Sequence, residues 1–573
     1  ENLMSLFYQR EFILTLAIIL TAVCFSVGAD TYSQRIMTLS GIYAIAAVGY
    51  HLVFGRLGSL SLAQGAFFGL GAYSASLIGV HFELSFLVCL LFAIGFTSLV
   101  AAIIAIPVLR LESHYFALAT LGISQVALLI AINWTEVTGG ANGIYGVPQF
   151  DLFGKKLSSS TEILLFVWSV LLIAVIFTFW LTRRPFNYQM SLLRDTPEIA
   201  ASSGIDIGRW RFKFFLISAI FGATAGALQA YTIGVVSPAT LEFQVMVSIL
   251  AMTMIGGKNH PAGAIIGAIL LTHLPEWFRF LETHYLIAYG VVLLIAIIIA
   301  PNGIVGLFQK FLISRSHPNY IDLPPHNHPE VSHSKSISLE IKNISKQYGG
   351  IIALKNVNMT LKFGEIVGLI GPNGSGKSTL INIMTGLQRQ DTGTIYLENT
   401  FIENAPSYKR STKGIARTFQ TSLRSSDLNV FEAVLACSPE KFSLEEREIT
   451  TTRILQDSSL VLKTEIMATY LSAVDARELD LCMAIATEPK VLLLDEPAAG
   501  LSSTEQEFVR NKVQKLAQSG VSILIVDHSM DFLLPVVDRL ICLNEGSILT
   551  EGTPEEVLSD SRALEVYFGM PKS

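Results

Sequence analysis

Ten apolar stretches come before Pro301, and a chain that carries them has few ways to fold. They cover roughly 11–29, 36–55, 59–79, 84–107, 115–132, 162–182, 212–234, 243–256, 261–275 and 285–301. Most reach the ~20 residues a helix needs to cross ~30 Å of hydrocarbon. In lipid, every backbone N–H and C=O must be satisfied within the protein, which a helix achieves. Residues 1–308 are therefore expected to form an α-helical polytopic membrane domain of about ten spans, some of them broken. The two runs flanking Gly256-Gly257 are shorter, at 14 and 15 residues, or only ~21–23 Å at the helical rise. Two thin spans and one re-entrant hairpin both fit, and both return the chain to the same side.

Composition divides the chain further. Its 573 residues exceed what one core holds, and 51% are hydrophobic while 15% are charged, with the charges unevenly spread. That balance predicts a membrane half and a soluble half. A net charge of −6 gives no case for a nucleic-acid partner. Cys24, Cys89, Cys437, Cys482 and Cys542 have no paired spacing, which argues against a disulfide framework or a cysteine metal site. No cleavable leader is expected at Glu1.

Loop charge supplies an orientation. With the N-terminus cytoplasmic, inner loops hold Arg10, Arg56, Arg110, the block Arg183, Arg184, Arg194, Arg209, Arg211 and Lys213, and then Lys258. Outer loops hold mainly Glu83, Glu136, Asp151, Glu242, Glu276 and Glu282. Arg35, Lys155, Lys156 and Arg279 run against the trend, yet the bias obeys the positive-inside rule. Both termini and the soluble half are thus expected in the cytoplasm.

Three features exceed simple spanning. Gly58 to Gly69 is rich in Gly and Ser at membrane depth, and Gly256 to Gly267 repeats its Gly-Ala-x-x-Gly pattern. Such segments mark broken helices around a substrate site, or close helix packing through small residues; the second, with its turn on the cytoplasmic side, leans towards packing. Gln64 and Gln125, polar at that depth, are candidate pathway contacts. The cytoplasmic loop from Arg183 to Arg211 carries a short helix with Glu198, Ala200, Ala201 and the closing Gly204. It is expected to dock on the soluble half as a coupling loop; the plainer alternative is a basic loop that only sets topology.

Residues 309–336 turn polar and rich in Pro, His and Ser, as a flexible tether does. His326, His328 and His333 lie in Pro-broken sequence with no cysteine, which disfavours chelation. From 337 to 573, short β-rich runs alternate with helices, predicting an α/β domain on a mostly parallel sheet. Its centre is Gly371-Pro372-Asn373-Gly374-Ser375-Gly376-Lys377-Ser378-Thr379, which fits G-x-x-x-x-G-K-[ST] between a buried run, Ile366–Ile370, and a helical one. Glycines there let backbone N–H groups cradle phosphate oxygens, the lysine adds charge at the β/γ-phosphates, and Ser378 offers a hydroxyl to Mg²⁺. Val491 to Leu494 is an apolar strand ending in Asp495 and Glu496, placed respectively for Mg²⁺ and for polarising an attacking water. Another core run ends at His528, within reach of a γ-phosphate. Gln420 is a candidate Mg²⁺ ligand and γ-phosphate sensor, and Tyr348 a candidate stacking platform for adenine.

Together these residues resemble an ATP-binding-cassette (ABC) ATPase over about Ile337 to Gly569, with Gly500-Leu501-Ser502 as the dimer-contact loop. Gln347 to Leu354, Asp495 to Leu501 and Glu551 to Val557 are similar to the ATPase of branched-chain amino-acid importers. Gly58 to Tyr73, Thr138 to Ile144, the Glu198 to Ile205 loop and Ala300 to Ile304 resemble the permease subunit of the same systems. The resemblance implies a permease fused to its ATPase, using ATP and Mg²⁺ in the bacterial inner membrane. It implies as partners a second permease subunit, a second ABC ATPase with an intact signature, and a periplasmic substrate-binding protein. The implied solute is a branched-chain amino acid, with urea, short amides or small carboxylates as the alternative. Rival readings are a homodimer of the fused chain and an ATP-gated channel or regulatory membrane protein. One departure stands out. Where the family has Leu-Ser-Gly-Gly-Gln or a near relative, this chain has Leu471-Ser472-Ala473-Val474-Asp475. Val474 puts a branched side chain, and Asp475 a negative charge, where a partner's γ-phosphate approaches a helix N-terminus. Asymmetric ATP sites are expected.

Overall fold

A computed structural model describes the chain except for residues 1–3, 112, 153, 184–185, 279–289, 292–293, 296–297, 301–302, 313–335, 403, 420–424, 426 and 569–573. The fold divides into two compact units: residues 1–184 with 208–318, and residues 185–207 with 319–573.

The first unit is helical. Its principal helices are Met4–Val27, Thr31–His51, Gln64–Phe82, Phe86–Val108, Ser113–Asn133, Ser160–Leu181, Ile207–Ile233, Phe243–Gly256 and Pro261–Trp277. Among the described residues, six helical segments are long and apolar enough to cross a membrane. Nine of the ten apolar runs fall on helices, and the run 285–301 lies largely outside the described residues. The expected tether begins within a helix, Gly303–Leu312, and its remainder from 313 to 335 lies outside them as well.

The two glycine-rich segments do different things. After Thr31–His51 the chain makes one π-turn, Leu52–Arg56, then runs without helix until Gln64. Backbone groups freed by this break find partners on a neighbouring helix: the Thr120 hydroxyl accepts from Leu62 N at 2.9 Å, and the Ser124 hydroxyl donates to Leu62 O at 2.8 Å. A break at membrane depth persists only when such groups are satisfied. By contrast, Phe243–Gly256 and Pro261–Trp277 form a helical pair pressed together through glycine. A Cβ on Gly256 would collide with the Gly263 carbonyl, and one on Gly267 with that of Met252. Small residues let two backbones approach this closely. Gln64 is buried; its amide nitrogen donates to Ala46 O and Ser218 O, both at 3.1 Å, and its oxygen accepts from the Ser218 hydroxyl at 2.7 Å. That side chain braces three helices. Gln125 is half-buried on Ser113–Asn133.

The second unit is built on two sheets. We label its strands β1 (Ile337–Tyr348), β2 (Ile351–Lys362), β3 (Ile366–Ile370), β4 (Thr392–Leu397), β5 (Thr400–Phe401), β6 (Ile415–Arg417), β7 (Val491–Asp495), β8 (Ser522–Val526), β9 (Arg539–Asn544) and β10 (Ser547–Gly552). A four-stranded antiparallel sheet has the order β2-β1-β4-β5, and a six-stranded sheet has the order β6-β7-β8-β3-β9-β10, parallel except for β10. The central strands β3, β7 and β8 are buried along their whole length, which explains their unbroken apolar sequence.

Candidate functional site

Parallel register gathers the chemistry at one edge. Asp495 is paired with Val526, and Val526 with Leu369, so β7, β8 and β3 end at the same level. The chain leaving β3 is the glycine loop, the residue after β7 is Glu496, and His528 lies two residues beyond β8. The carboxyl ends of parallel strands are where such sheets bind ligands.

Within the loop, Gly371, Gly374 and Gly376 have φ of +155°, +83° and +106°. A Cβ on Gly376 would meet the Ala353 carbonyl at 2.5 Å, so the cradle is closed to larger residues. Lys377 begins the helix Lys377–Thr385, and its ammonium donates to Gly371 O at 2.7 Å and Pro372 O at 2.9 Å. Burial pushes this ammonium below the ordinary lysine range, while the nearby charges of Glu496 and Asp495 act against that. Asn373, Gly374 and Ser378 are exposed and Thr379 is half-buried. Ser375 Oγ is buried with no partner among the described residues, an orphan acceptor and donor facing the cradle's own backbone. These groups fit a polyphosphate.

The acids are held from behind. Arg417 donates to Asp495 Oδ2 at 2.9 Å and to Asn382 Oδ1 at 2.5 Å, fixing the carboxylate at the end of β7. Glu496 has φ +48°, a left-handed backbone that an ordinary residue adopts at a cost of about 1–3 kcal/mol. Both of its backbone groups are pinned: its N–H donates to Val526 O at 2.7 Å, and its carbonyl accepts from Arg477 at 2.7 Å. Its carboxylate lies 3.3 Å from His528 Nε2. Tyr348 ends β1, 43% exposed, with the Lys346 ammonium 5.6 Å from its ring centroid. Gln420 lies outside the described residues.

Comparison with known proteins decides the family. Residues 32–300 match the family of the branched-chain amino acid transport system permease component, and residues 354–499 match the ABC transporter family. The chain is 34% identical to a probable branched-chain amino acid transport ATP-binding protein, LivG, of Archaeoglobus fulgidus, covering 41% of this chain and 96% of that one. It is 30% identical to LivM of Salmonella typhimurium, a permease protein of a high-affinity branched-chain amino acid transport system, over 54% of this chain and 77% of that one. The lipopolysaccharide export system ATP-binding protein LptB of Escherichia coli is 31% identical over 40% of this chain and 97% of its own. The chain belongs to the ABC transporters of the branched-chain amino acid family.

This ABC transporter carries permease and ATPase domains on one polypeptide. Its ATPase domain binds ATP and couples hydrolysis to transport. The departing signature caps a helix: Ser472 precedes Ala473–Ala486, and its hydroxyl accepts from Asp475 N at 3.1 Å. Asp475 is not a bare charge. Lys463 binds both of its carboxylate oxygens, at 2.7 and 2.8 Å, and the Ser472 hydroxyl donates to one of them at 2.8 Å. Burial pushes the Asp475 carboxyl up, but these bonds and the Lys463 charge outweigh it and hold it below the ordinary aspartate value. Val474 lines a cavity of about 390 Å³ that reaches from Ser472 to Asp495.

The segment 185–207, expected from the sequence to be a coupling loop, belongs to the ATPase unit. It forms two helices, Phe186–Asp195 and Pro197–Ser202, which pack on Val430–Cys437 and Ser407–Thr412. Ala200 is fully buried, Ala201 is half-buried, Glu198 is exposed, and Gly204, at φ +88°, faces Thr412. The polar ties centre on Arg194, which sequence reasoning treated only as a topology marker, and on Asp195, which it did not single out. Arg194 pairs with Asp195 at 2.7 Å and with Asp427 at 2.8 Å, and Asp195 accepts from the Ser425 hydroxyl at 2.8 Å. Attraction to the two carboxylates outweighs burial and holds the Arg194 guanidinium charged.

Proposed function

We propose that this chain is one fused subunit of an ATP-driven importer in the bacterial inner membrane, carrying branched-chain amino acids or related small polar solutes. Residues 1–308 act as the permease, 309–336 as the tether and 337–573 as the ATPase, with both termini in the cytoplasm. The observation that carries this reading is the joint match of residues 32–300 and 354–499 to the two functional halves of one transport system. A second permease subunit, a second ATPase with an intact signature and a periplasmic binding protein complete the assembly.

At the ATP site, the loop from Asn373 to Thr379 holds the phosphates and Tyr348 stacks on the base. Ser378, Asp495 and Gln420 are the residues that would hold Mg²⁺, which would neutralise phosphate charge. Glu496 accepts a proton from the attacking water, and His528, 3.3 Å from its carboxylate, keeps that group aimed at the γ-phosphate. Hydrolysis belongs to the site that joins this chain's loop to the partner's signature. At the other site, Val474 obstructs the close approach that glycine allows, so ATP binds there and turns over slowly. Arg194 and the Pro197–Ser202 helix carry the motion of the ATPase into the loop that leads to the permease.

Proteoliposomes holding the assembled transporter, supplied with binding protein and ATP, test the reading. They should accumulate labelled leucine, and Lys377→Ala should lower accumulation at least ~100-fold, the scale for losing a charge placed on a transferring phosphoryl group. Accumulation unaffected by Lys377→Ala would remove ATP from the account. Uptake of urea in preference to leucine would reassign the solute.

A further inference from the structure

The signature helix and the catalytic acid of this chain are joined by one side chain. Arg477 lies five residues after Ser472 on the helix Ala473–Ala486, and it donates to the carbonyl oxygen of Glu496 at 2.7 Å. Glu496 needs such a tie more than most residues do, because its φ of +48° is disfavoured and is kept only where the surroundings impose it. β8 holds the N–H through Val526, and the carbonyl is held by Arg477 of the signature helix at 2.7 Å and, at 3.3 Å, by Ala499 N in the turn that follows. The same N-terminal end of that helix is anchored by the Lys463–Asp475 pair and the Ser472 cap. Arg477 and Asp495 line the same cavity as Ser472 and Val474. A displacement of the signature helix therefore has a direct route to the backbone of Glu496.

We infer that Arg477 is a positioning residue that sets the Glu496 carboxylate and makes its aim depend on the state of this chain's own signature. The two ATP sites then communicate inside one subunit: what occupies the altered signature tunes hydrolysis at the site this chain's glycine loop completes. The inference rests on the reading of Glu496 as the group that polarises water.

Arg477→Met tests it, since methionine keeps an apolar stem and loses the donor. Measured on the assembled full-length transporter, kcat for ATP should fall roughly 10- to 100-fold, as small misplacements of a reacting group do, with KM and ATP binding held within about twofold of the parent. Arg477→Lys, which restores a single donor, should recover a substantial part of kcat. A purely structural role would lower ATP binding and thermal stability together and would not distinguish Met from Lys. Arg477→Met turning over at the parent rate, or Met and Lys equally impaired, would overturn the inference. Glu496→Gln run in parallel separates the two claims: rapid hydrolysis in that variant sinks the reading of Glu496, whereas its loss beside a normal Arg477→Met sinks this inference alone.

Discussion

The glycine loop and the Leu471–Asp475 stretch are both helix starts in one ATPase domain, yet they are built differently. At the loop, three glycines with positive φ leave backbone groups uncovered, and the cation, Lys377, is held in the cradle by the loop's own carbonyls. At Leu471–Asp475 no glycine is present, Val474 lines the neighbouring cavity, and the nearby cation, Lys463, is spent on Asp475. One start is open and positively charged, and the other is capped and neutralised within itself. The contrast teaches that a helix N-terminus can either leave its dipole and N–H groups open to an anion or satisfy them within the protein.

Restoring the signature would erase that difference. In a Glu496→Gln background, Ala473→Gly, Val474→Gly and Asp475→Gln together should raise the residual ATP turnover of the assembled transporter at least ~10-fold, because fixed backbone donors return to the second site. No rise would break the comparison. A smaller effect is expected at the coupling loop, where Arg194→Ala removes a largely buried partner of Asp427 and Asp195. Uptake should fall about fivefold, the scale of a partly exposed ion pair worth about 1 kcal/mol, while ATP hydrolysis persists, and Asp427→Ala should add little to it. Equal loss of uptake and hydrolysis would mean that the tie supports the ATP site and not the coupling.

The smallest effect concerns acid. Asp475 is held below its ordinary value by Lys463 and Ser472, so its contribution to stability is whole above about pH 4 and fades as pH falls through the lower folded value. Lys463→Met should destabilise the transporter by about 0.5–1 kcal/mol at pH 7, a figure kept small because Lys463 is partly exposed, and by progressively less below pH 4. Melting curves across that range check the sign.

Much of this was legible in the sequence because it is local. The strand, loop and helix from Ile366 to Thr385 are contiguous, and the apolar runs announce their helices by length alone. The closure of the Gly256–Gly267 pair followed from its small residues. What escaped is long-range pairing. Arg194 is as good a topology marker as any loop arginine until folding sets it against Asp427, 233 residues away. Asp475 read as an exposed charge because Lys463 lies in another turn, and nothing in the spacing links Arg477 to Glu496. Nor did the polarity of Gln64 at membrane depth announce its hydrogen bonds to Ala46 and Ser218.

Turnover of the assembled transporter carrying Glu496→Gln tests the inequality most directly. If only the site completed by this chain's glycine loop hydrolyses at speed, ATPase activity should fall at least ~100-fold with ATP still bound, as loss of a general base predicts. Retention of about half the activity would mean that the site facing Ala473, Val474 and Asp475 works as well as the other, and would contradict the account.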